Sequence, residues 1–373
     1  MSENNNKIAL VCSNYAWTIM NFRMPLIRRL KSEGYNVVVL TQFDGYESLI
    51  SKEVAEVRKL FISRRGINPF IDILTVLDLL KHLIIIKPNI FLPFTIKPVI
   101  YGCAVAKLIN IKSIVMITGL GTVFIQNTWV KHIVMALYRF ALSSVRVVFF
   151  QNNDDKSLFI DHGLVSRDIC YLIPGSGVDL DKFKFTKLPS SKELKFLLIG
   201  RMLWDKGVGE FVDAASQLNS RYKNISFQLL GPIGVQNRSA IPYSKIKEWQ
   251  DDKIIEYLGE TDNVAAFIAD SSCVVLPSYR EGTSKVLLEA AAMGRPIIAS
   301  DVPGCREVVE DGNTGFLCRS NDASDLSKKI EMMISLPYAT RSEMGRKGRE
   351  KIKAEYRQEI VCDKYIEAIK NKI

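Results

Sequence analysis

The sequence predicts an α/β protein made of two doubly wound parallel-sheet domains, and three observations carry that expectation. The chain has 373 residues, more than one ordinary core accommodates. Short apolar runs alternate with longer helical stretches, and strands that lack polar alternation are those covered on both faces. The rhythm stops near residue 187 and starts afresh at 194.

In order, residues 7–12 read as a first strand, followed by a loop and a helix at 24–33. Gly34 sets off a second strand at 36–40. Further strands are expected at 90–93, 113–118, 145–151 and 170–173, with helices at 69–83, 100–109 and 131–143 between them. The polar stretch 187–193 reads as a linker. Strands then follow at 194–199, 225–230, 254–257, 274–277 and 297–299, with helices at 207–220 and 284–293. The tail from 325 is helical and charged. The expected domains are 1–186, 187–355 and a final helix at 356–373 that packs back on the first domain. Two such domains in tandem place a ligand cleft between the carboxyl ends of their strands.

Composition narrows the class. Hydrophobic residues at 47% and charged residues at 24% are globular values. The seven scattered cysteines form no CxxC pair, so neither a disulfide framework nor a zinc site is expected, and a reducing cytoplasm suits them. The apolar run at 8–11 is too short for a signal peptide, and no uninterrupted apolar stretch is long enough to span a membrane. The net charge of +10 arises within residues 1–150, and no acidic residue occurs between Asp78 and Asp154. Such a basic face suits anionic lipid, a diphosphate-bearing acceptor or nucleic acid, or is a solvated surface without a partner. No nucleic-acid-binding motif accompanies it, so no nucleic acid partner is expected.

Three segments of the second half carry chemistry. Gly200-Arg201-Met202-Leu203-Trp204-Asp205-Lys206-Gly207 lies where a strand turns into a helix. Arg201 and Lys206 beside a helix N-terminus suit a diphosphate, Arg as a fork and Lys as a point charge. In the second segment, Pro277 ends a strand, Glu281-Gly282-Thr283-Ser284-Lys285-Val286 forms a loop and first helical turn, and Glu289 follows. The first-turn amides suit phosphate or sugar hydroxyls, and Glu289 lies about 7–8 Å further along the helix axis at 1.5 Å per residue. Carboxylates accept paired sugar hydroxyls well. The third comprises the turns at 299–307 and 311–316, expected as scaffolding at the same sheet edge. Taken singly, the cations also read as loop charges, Glu281 as a loop acid and Glu289 as an ion-pair partner.

These residues resemble the retaining glycosyltransferases of family 4, with the two-domain GT-B fold, over nearly the whole chain. The likeness rests on G-R-x4-K at 200–206, E-x7-E at Glu281 and Glu289, Ser300-Asp301-Val302-Pro303-Gly304, Asp311-Gly312-Asn313-Thr314-Gly315 and the stretch 173–183. In the first half, Phe22-Arg23-Met24-Pro25-Leu26, Ile67-Asn68-Pro69-Phe70 and Gly119-Leu120-Gly121 are similar to the PglA-like transferases that extend undecaprenyl-diphosphate-linked sugars, as is 203–208. The resemblance implies a UDP-sugar donor and a polyprenyl-diphosphate-sugar acceptor in O-antigen, capsule or glycoprotein assembly. It also implies a peripheral site at the inner face of the cytoplasmic membrane. By position, Arg201 and Lys206 would neutralise the diphosphate, Glu281 would bind the donor sugar, and Glu289 would hold the ribose hydroxyls. The amides of Gly282, Thr283, Ser284, Lys285 and Val286 would contact sugar and phosphate. No metal and no cofactor are implied, and front-face attack would retain the anomeric configuration.

The chain also departs from the family pattern. Ile117-Thr118-Gly119-Leu120-Gly121 stands where many members place a sugar-side His, and His82, His132 and His162 fall in helical contexts. The loop after the first strand, Ser13-Asn14-Tyr15-Ala16-Trp17, has no Gly-Gly pair for phosphate. Asn14, Tyr15, Arg23, Gly119 and Gly121 are instead candidates for the acceptor side. An oxidoreductase would need G-x-G-x-x-G after the first strand, where this sequence has no glycine. The Asp179-Leu180-Asp181 letters of a metal-dependent transferase precede the linker. A non-catalytic GT-B scaffold subunit and a UDP-sugar epimerase are the alternatives on the same fold.

Overall fold

In the computed structural model, which describes residues 7–63, 68–119 and 129–373, the apolar runs of the first half pair in parallel. The chain divides into two compact units, residues 1–176 with 358–373, and residues 177–357.

In the first unit, β1 (Ile8–Ser13) lies between β2 (Asn36–Thr41) and β4 (Ile90–Pro93), and β3 (Glu56–Lys59) forms the edge beyond β2. A parallel bridge from Phe91 to Ser113 continues the sheet into β5 (Ile114–Ile117), β6 (Val147–Phe150) and β7 (Cys170–Leu172). The resulting order 3-2-1-4-5-6-7 is doubly wound, as expected. Between the strands run α1 (Ala16–Phe22), α2 (Met24–Ser32), α3 (Glu47–Ile50), α4 (Pro69–Ile86), α5 (Cys103–Leu108), α6 (Trp129–Leu142) and α7 (Asn153–Asp161). Alternate residues of β1 serve opposite faces. Ala9 and Val11 pack with Ile19, Ile27 and Leu30 of α1 and α2, whereas Leu10 and Cys12 pack with Leu79 and Leu83 of α4 and Val105 of α5. α4, α5 and α6 lie side by side on that second face. Asn68 caps α4 by accepting from Phe70 N at 3.1 Å, and Pro69 occupies its first turn.

The second unit repeats the plan with β8 (Leu194–Ile199), β9 (Ile225–Leu230), β10 (Glu256–Tyr257), β11 (Cys273–Leu276), β12 (Ile297–Ser300) and β13 (Gly315–Cys318). Their order is β10-β9-β8-β11-β12-β13, all parallel. Its helices are α8 (Val208–Asn219), α9 (Tyr243–Asp251), α10 (Val264–Asp270), α11 (Lys285–Ala292), α12 (Ala323–Ser335) and α13 (Tyr338–Glu355). The chain then re-enters the first unit with α14 (Gln358–Lys372). There Val361, Cys362, Tyr365, Ile366 and Ile369 join the core that holds Ala9 and Val11.

The sequence assigns residues 177–186 to the first domain, but they pack with the second unit. Val178 and Phe183 are buried among Leu197, Leu276 and Ala291, and Val178 bridges to Arg357. The fully buried Arg295 fastens the same segment, its guanidinium donating to Thr186 O and Lys187 O at 3.1 Å and to Ile268 O at 2.9 Å. All seven cysteines are buried and unpaired. Among the described residues, no helix is long and apolar enough to cross a membrane.

Candidate functional site at the carboxyl edge of the second sheet

Three loops meet where β8, β11 and β12 end. The β8 loop reaches Gly207, whose φ of 71° is left-handed, and a Cβ there would lie 2.0 Å from the Pro277 carbonyl oxygen. Only glycine permits that approach. It seats the first loop on the second, and Ser278 Oγ and Tyr279 N both donate to the Asp205 carbonyl, at 3.1 and 2.9 Å. Gly304, with φ 82°, does the same for the β12 loop, where a Cβ would come 2.3 Å from Gly282 O. Glu281 N donates to Pro303 O at 3.1 Å, so the loop carrying the acid is held from both sides.

The seating brings Lys206 Nζ onto Glu281 Oε1, a salt bridge between residues 75 apart in sequence. Both side chains are largely enclosed, at 21% and 14% exposure, so the pair is only partly screened by water. Glu289, in the second turn of α11, is 7% exposed, and Lys285 Nζ stands 3.8 Å from its Oε1. Burial pushes its carboxyl up to about 7, and the ammonium groups of Lys285 and Lys182 act the other way without cancelling it. Arg201 is exposed at the end of β8 and forms no ion pair with the other three. The expected quartet is thus one contact pair, one buried acid and one solvent-facing guanidinium, all carried by loops or helix turns that follow β8 and β11.

Two expectations at this edge are corrected. The 311–314 turn precedes β13, whose Gly315 pairs in parallel with Ile297 at the start of β12, so this turn lies at the amino edge of the sheet. The Ser284 amide donates to Gly304 O at 3.0 Å, which commits it to the loop junction. The amides of Lys285 and Val286 are in the first turn of α11, where an α-helix supplies no carbonyl partner of its own. Gly282 and Thr283 lie half-buried in the loop before it.

Sequence reasoning missed several residues here. Tyr279 donates its hydroxyl to Glu210 Oε1 at 2.7 Å, bracing the loop on α8. Asp205 bonds Ser239, and Trp204 N donates to Ser239 O at 2.8 Å, which ties in the loop after β9. Lys182, whose charge acts on Glu289, lies in the 173–183 stretch, and nothing but proximity in the fold marks it.

In the first unit, the candidates for the acceptor side separate. Asn14 is half-buried at the end of β1, its N–H on Thr95 Oγ1 at 3.3 Å and its Oδ1 buried without a hydrogen bond. Tyr15 stacks on Trp17 with ring centroids 6.1 Å apart, and Trp17 meets Phe22 edge-on. Arg23 is corrected to a core residue. It is 4% exposed, its guanidinium lies 4.0 Å from the Phe94 ring centroid, and burial lowers its pKa. Gly119 has φ 136° beyond β5, with open space where a Cβ would be. Gly121 lies outside the described residues, as do Leu120 and Ile67. Among the described residues, no group of three His, Cys, Asp or Glu side chains could hold a metal ion.

Residues 7–152 match the family described as Glycosyl transferase 4-like, and residues 193–335 match Glycosyl transferases group 1. The chain is 28% identical over 334 residues to the N,N'-diacetylbacillosaminyl-diphospho-undecaprenol alpha-1,3-N-acetylgalactosaminyltransferase of Campylobacter jejuni, covering 85% of this chain and 86% of that one. Its fold is similar to the sucrose-phosphate synthase of Thermosynechococcus elongatus, with a TM-score of 0.80 at 18% identity over 98% of each chain. It is similar also to Anabaena HepE in complex with UDP, with a TM-score of 0.78 at 16% identity over 98% of this chain and 99% of that one.

Proposed function

Because this chain belongs to the family 4 (group 1) glycosyltransferases of GT-B fold, we propose that it moves a hexose or N-acetylhexosamine from a UDP-sugar onto a polyprenyl-diphosphate-linked saccharide, with retention, during surface polysaccharide or glycan assembly. The observation that carries this reading is the Lys206–Glu281 pair, held where the β8 and β11 loops meet beside the start of α11. The Campylobacter relative is named for a lipid-diphosphate acceptor, which supports the acceptor class, and the UDP complex of the Anabaena neighbour supports the donor class.

On this reading Lys206 and Arg201 neutralise the donor diphosphate, aided by the α11 N-terminus. Glu289 accepts the ribose hydroxyls, and Glu281, whose charge Lys206 balances, accepts from the donor sugar. The bond from the anomeric carbon to the β-phosphate oxygen breaks as the acceptor oxygen bonds to that carbon on the same face. The acceptor hydroxyl's proton passes to the departing phosphate. Fixed cations stabilise the negative charge gathering on UDP, so neither a metal nor a cofactor is needed. A lipid-linked acceptor and the basic first unit support a peripheral position at the inner face of the cytoplasmic membrane.

The test is the purified chain with a panel of UDP-sugars and polyprenyl-diphosphate-linked acceptors, read by mass. Transfer of one sugar to one acceptor is expected. No product with any donor–acceptor pair, while UDP still binds, would turn the reading to a non-catalytic scaffold, and interconversion of the UDP-sugar itself would turn it to an epimerase.

A further inference from the structure

Helix α4 is apolar on its outer face as well as on the face it turns to the core. A surface helix normally turns its apolar stripe to the core. In α4 the outward stripe is Phe70, Ile73, Leu74, Leu77, Ile84 and Ile85, spaced at helical intervals, with Phe70 81% and Leu77 55% exposed. The inward face of its first half carries Asp72 and Thr75 instead. Both are satisfied there, Asp72 by Lys97 Nζ at 2.7 Å and Thr75 by Ile71 O at 3.0 Å. Asp78, the other acid of this helix, accepts from Phe61 N at 2.8 Å. The protein therefore engages the acidic groups of α4 and, although Leu79, Leu83 and Ile86 enter the core, leaves a second apolar stripe of the helix outside.

The neighbouring helices extend this surface. On α5, Leu108 is exposed, and on α6, Ile133, Leu137 and Phe140 are. Cations stand among them. Lys81 and Lys87 are exposed on and just after α4, and Lys107 Nζ lies 4.3 Å from the Phe140 ring centroid. Arg139 donates to the carbonyls of His162 and Gly163, which leaves its charge unbalanced. From residue 79 through 153 the chain has no carboxylate to offset them.

We propose that the α4–α5–α6 face is a membrane-docking surface, whose apolar stripe enters the acyl boundary of an anionic bilayer while the surrounding lysines engage its headgroups. The charge selects the occupant. A second copy meeting this face would set cations against cations, whereas an anionic leaflet neutralises them and accepts the apolar side chains. The inference rests on the proposed lipid-linked acceptor, and it specifies α4 as the element that holds the enzyme at the surface carrying that substrate.

The test is co-sedimentation of the full chain with phosphatidylcholine vesicles, with and without phosphatidylglycerol, for the wild type and for I73S/L77S/I84S. These side chains are exposed, so an unchanged thermal melt is expected of the variant. The wild type should pellet with the anionic vesicles and little with the zwitterionic ones, and the variant's bound fraction should fall about tenfold or more. Both proteins should transfer equally to a water-soluble, short-chain acceptor. Equal pelleting of the two proteins would overturn the proposal, as would a wild type that stays in the supernatant. So would light scattering that shows wild-type self-association through this face without vesicle binding. Active transfer to the soluble acceptor in any of those cases leaves the transferase reading standing, whereas its absence from the wild type removes that reading instead.

Discussion

Replacing Glu289 by Gln separates a stability effect from a binding effect at one position. Burial raises this carboxyl from an ordinary 4.5 to about 7, so the folded protein holds the proton more tightly than the unfolded chain does. The resulting stabilisation is fully present below pH 4.5 and is lost as pH rises to 7. At about 1.4 kcal/mol per pH unit, that interval corresponds to about 3 kcal/mol. Glu289→Gln keeps the shape and a neutral side chain at every pH. Urea unfolding at pH 5 and pH 8 should show the wild type losing about 3 kcal/mol more than the variant between the two conditions. UDP should behave in the opposite sense, because ribose hydroxyls donate best to a charged carboxylate. Wild-type UDP affinity should therefore rise through pH 7 while that of the variant stays flat and lower. Parallel pH dependence of unfolding in the two proteins would refute the burial argument, and unchanged UDP affinity in the variant would refute the ribose role.

Glu281→Ala and Lys206→Ala should each abolish transfer while the far-UV spectrum and a cooperative melt persist, and full activity in both would overturn the site assignment. EDTA should leave turnover unchanged within assay error, whereas a strict requirement for Mn²⁺ or Mg²⁺ would contradict charge neutralisation by Lys206 and Arg201. Gly207→Ala places a methyl against the Pro277 carbonyl at a left-handed residue, so it should destabilise by about 1–3 kcal/mol and slow transfer more than it weakens UDP binding. Arg295→Ala strands the Thr186, Lys187 and Ile268 carbonyls, and denaturant unfolding should report a loss of about 2–5 kcal/mol.

Central strands were legible in the sequence because they are buried on both faces and so read as unbroken apolar runs, such as Ala9–Cys12 and Phe196–Ile199, all 6% exposed or less. The edges were not. β3 is Glu-Val-Arg-Lys and faces water, and β13 opens on Gly315, so both read as loop. Reading 311–316 as a turn, without a strand from Gly315, is what put the 311–314 turn at the wrong end of the sheet. The linker was misjudged because Val178 and Phe183 look alike whichever core receives them. Within the site, motif spacing exposed Lys206, Glu281 and Glu289 as candidates. The contact between the first two depends on the close approach of Gly207 to Pro277, which no local pattern encodes. Arg23 shows the converse failure: a cation near a loop reads as a ligand contact, and only the ring of Phe94 reveals it as core.

The return of α14 to the first unit means that the chain passes between the units twice, at 176/177 and at 357/358. The first unit is therefore discontinuous, and during synthesis its apolar interior stays open along one side until the whole second unit has been made. A fragment ending near residue 176 would lack the side chains that close over Ala9 and Val11, so the first unit cannot be cut out as a contiguous piece. Any attempt to isolate it must splice residues 358–373 back on through an artificial link.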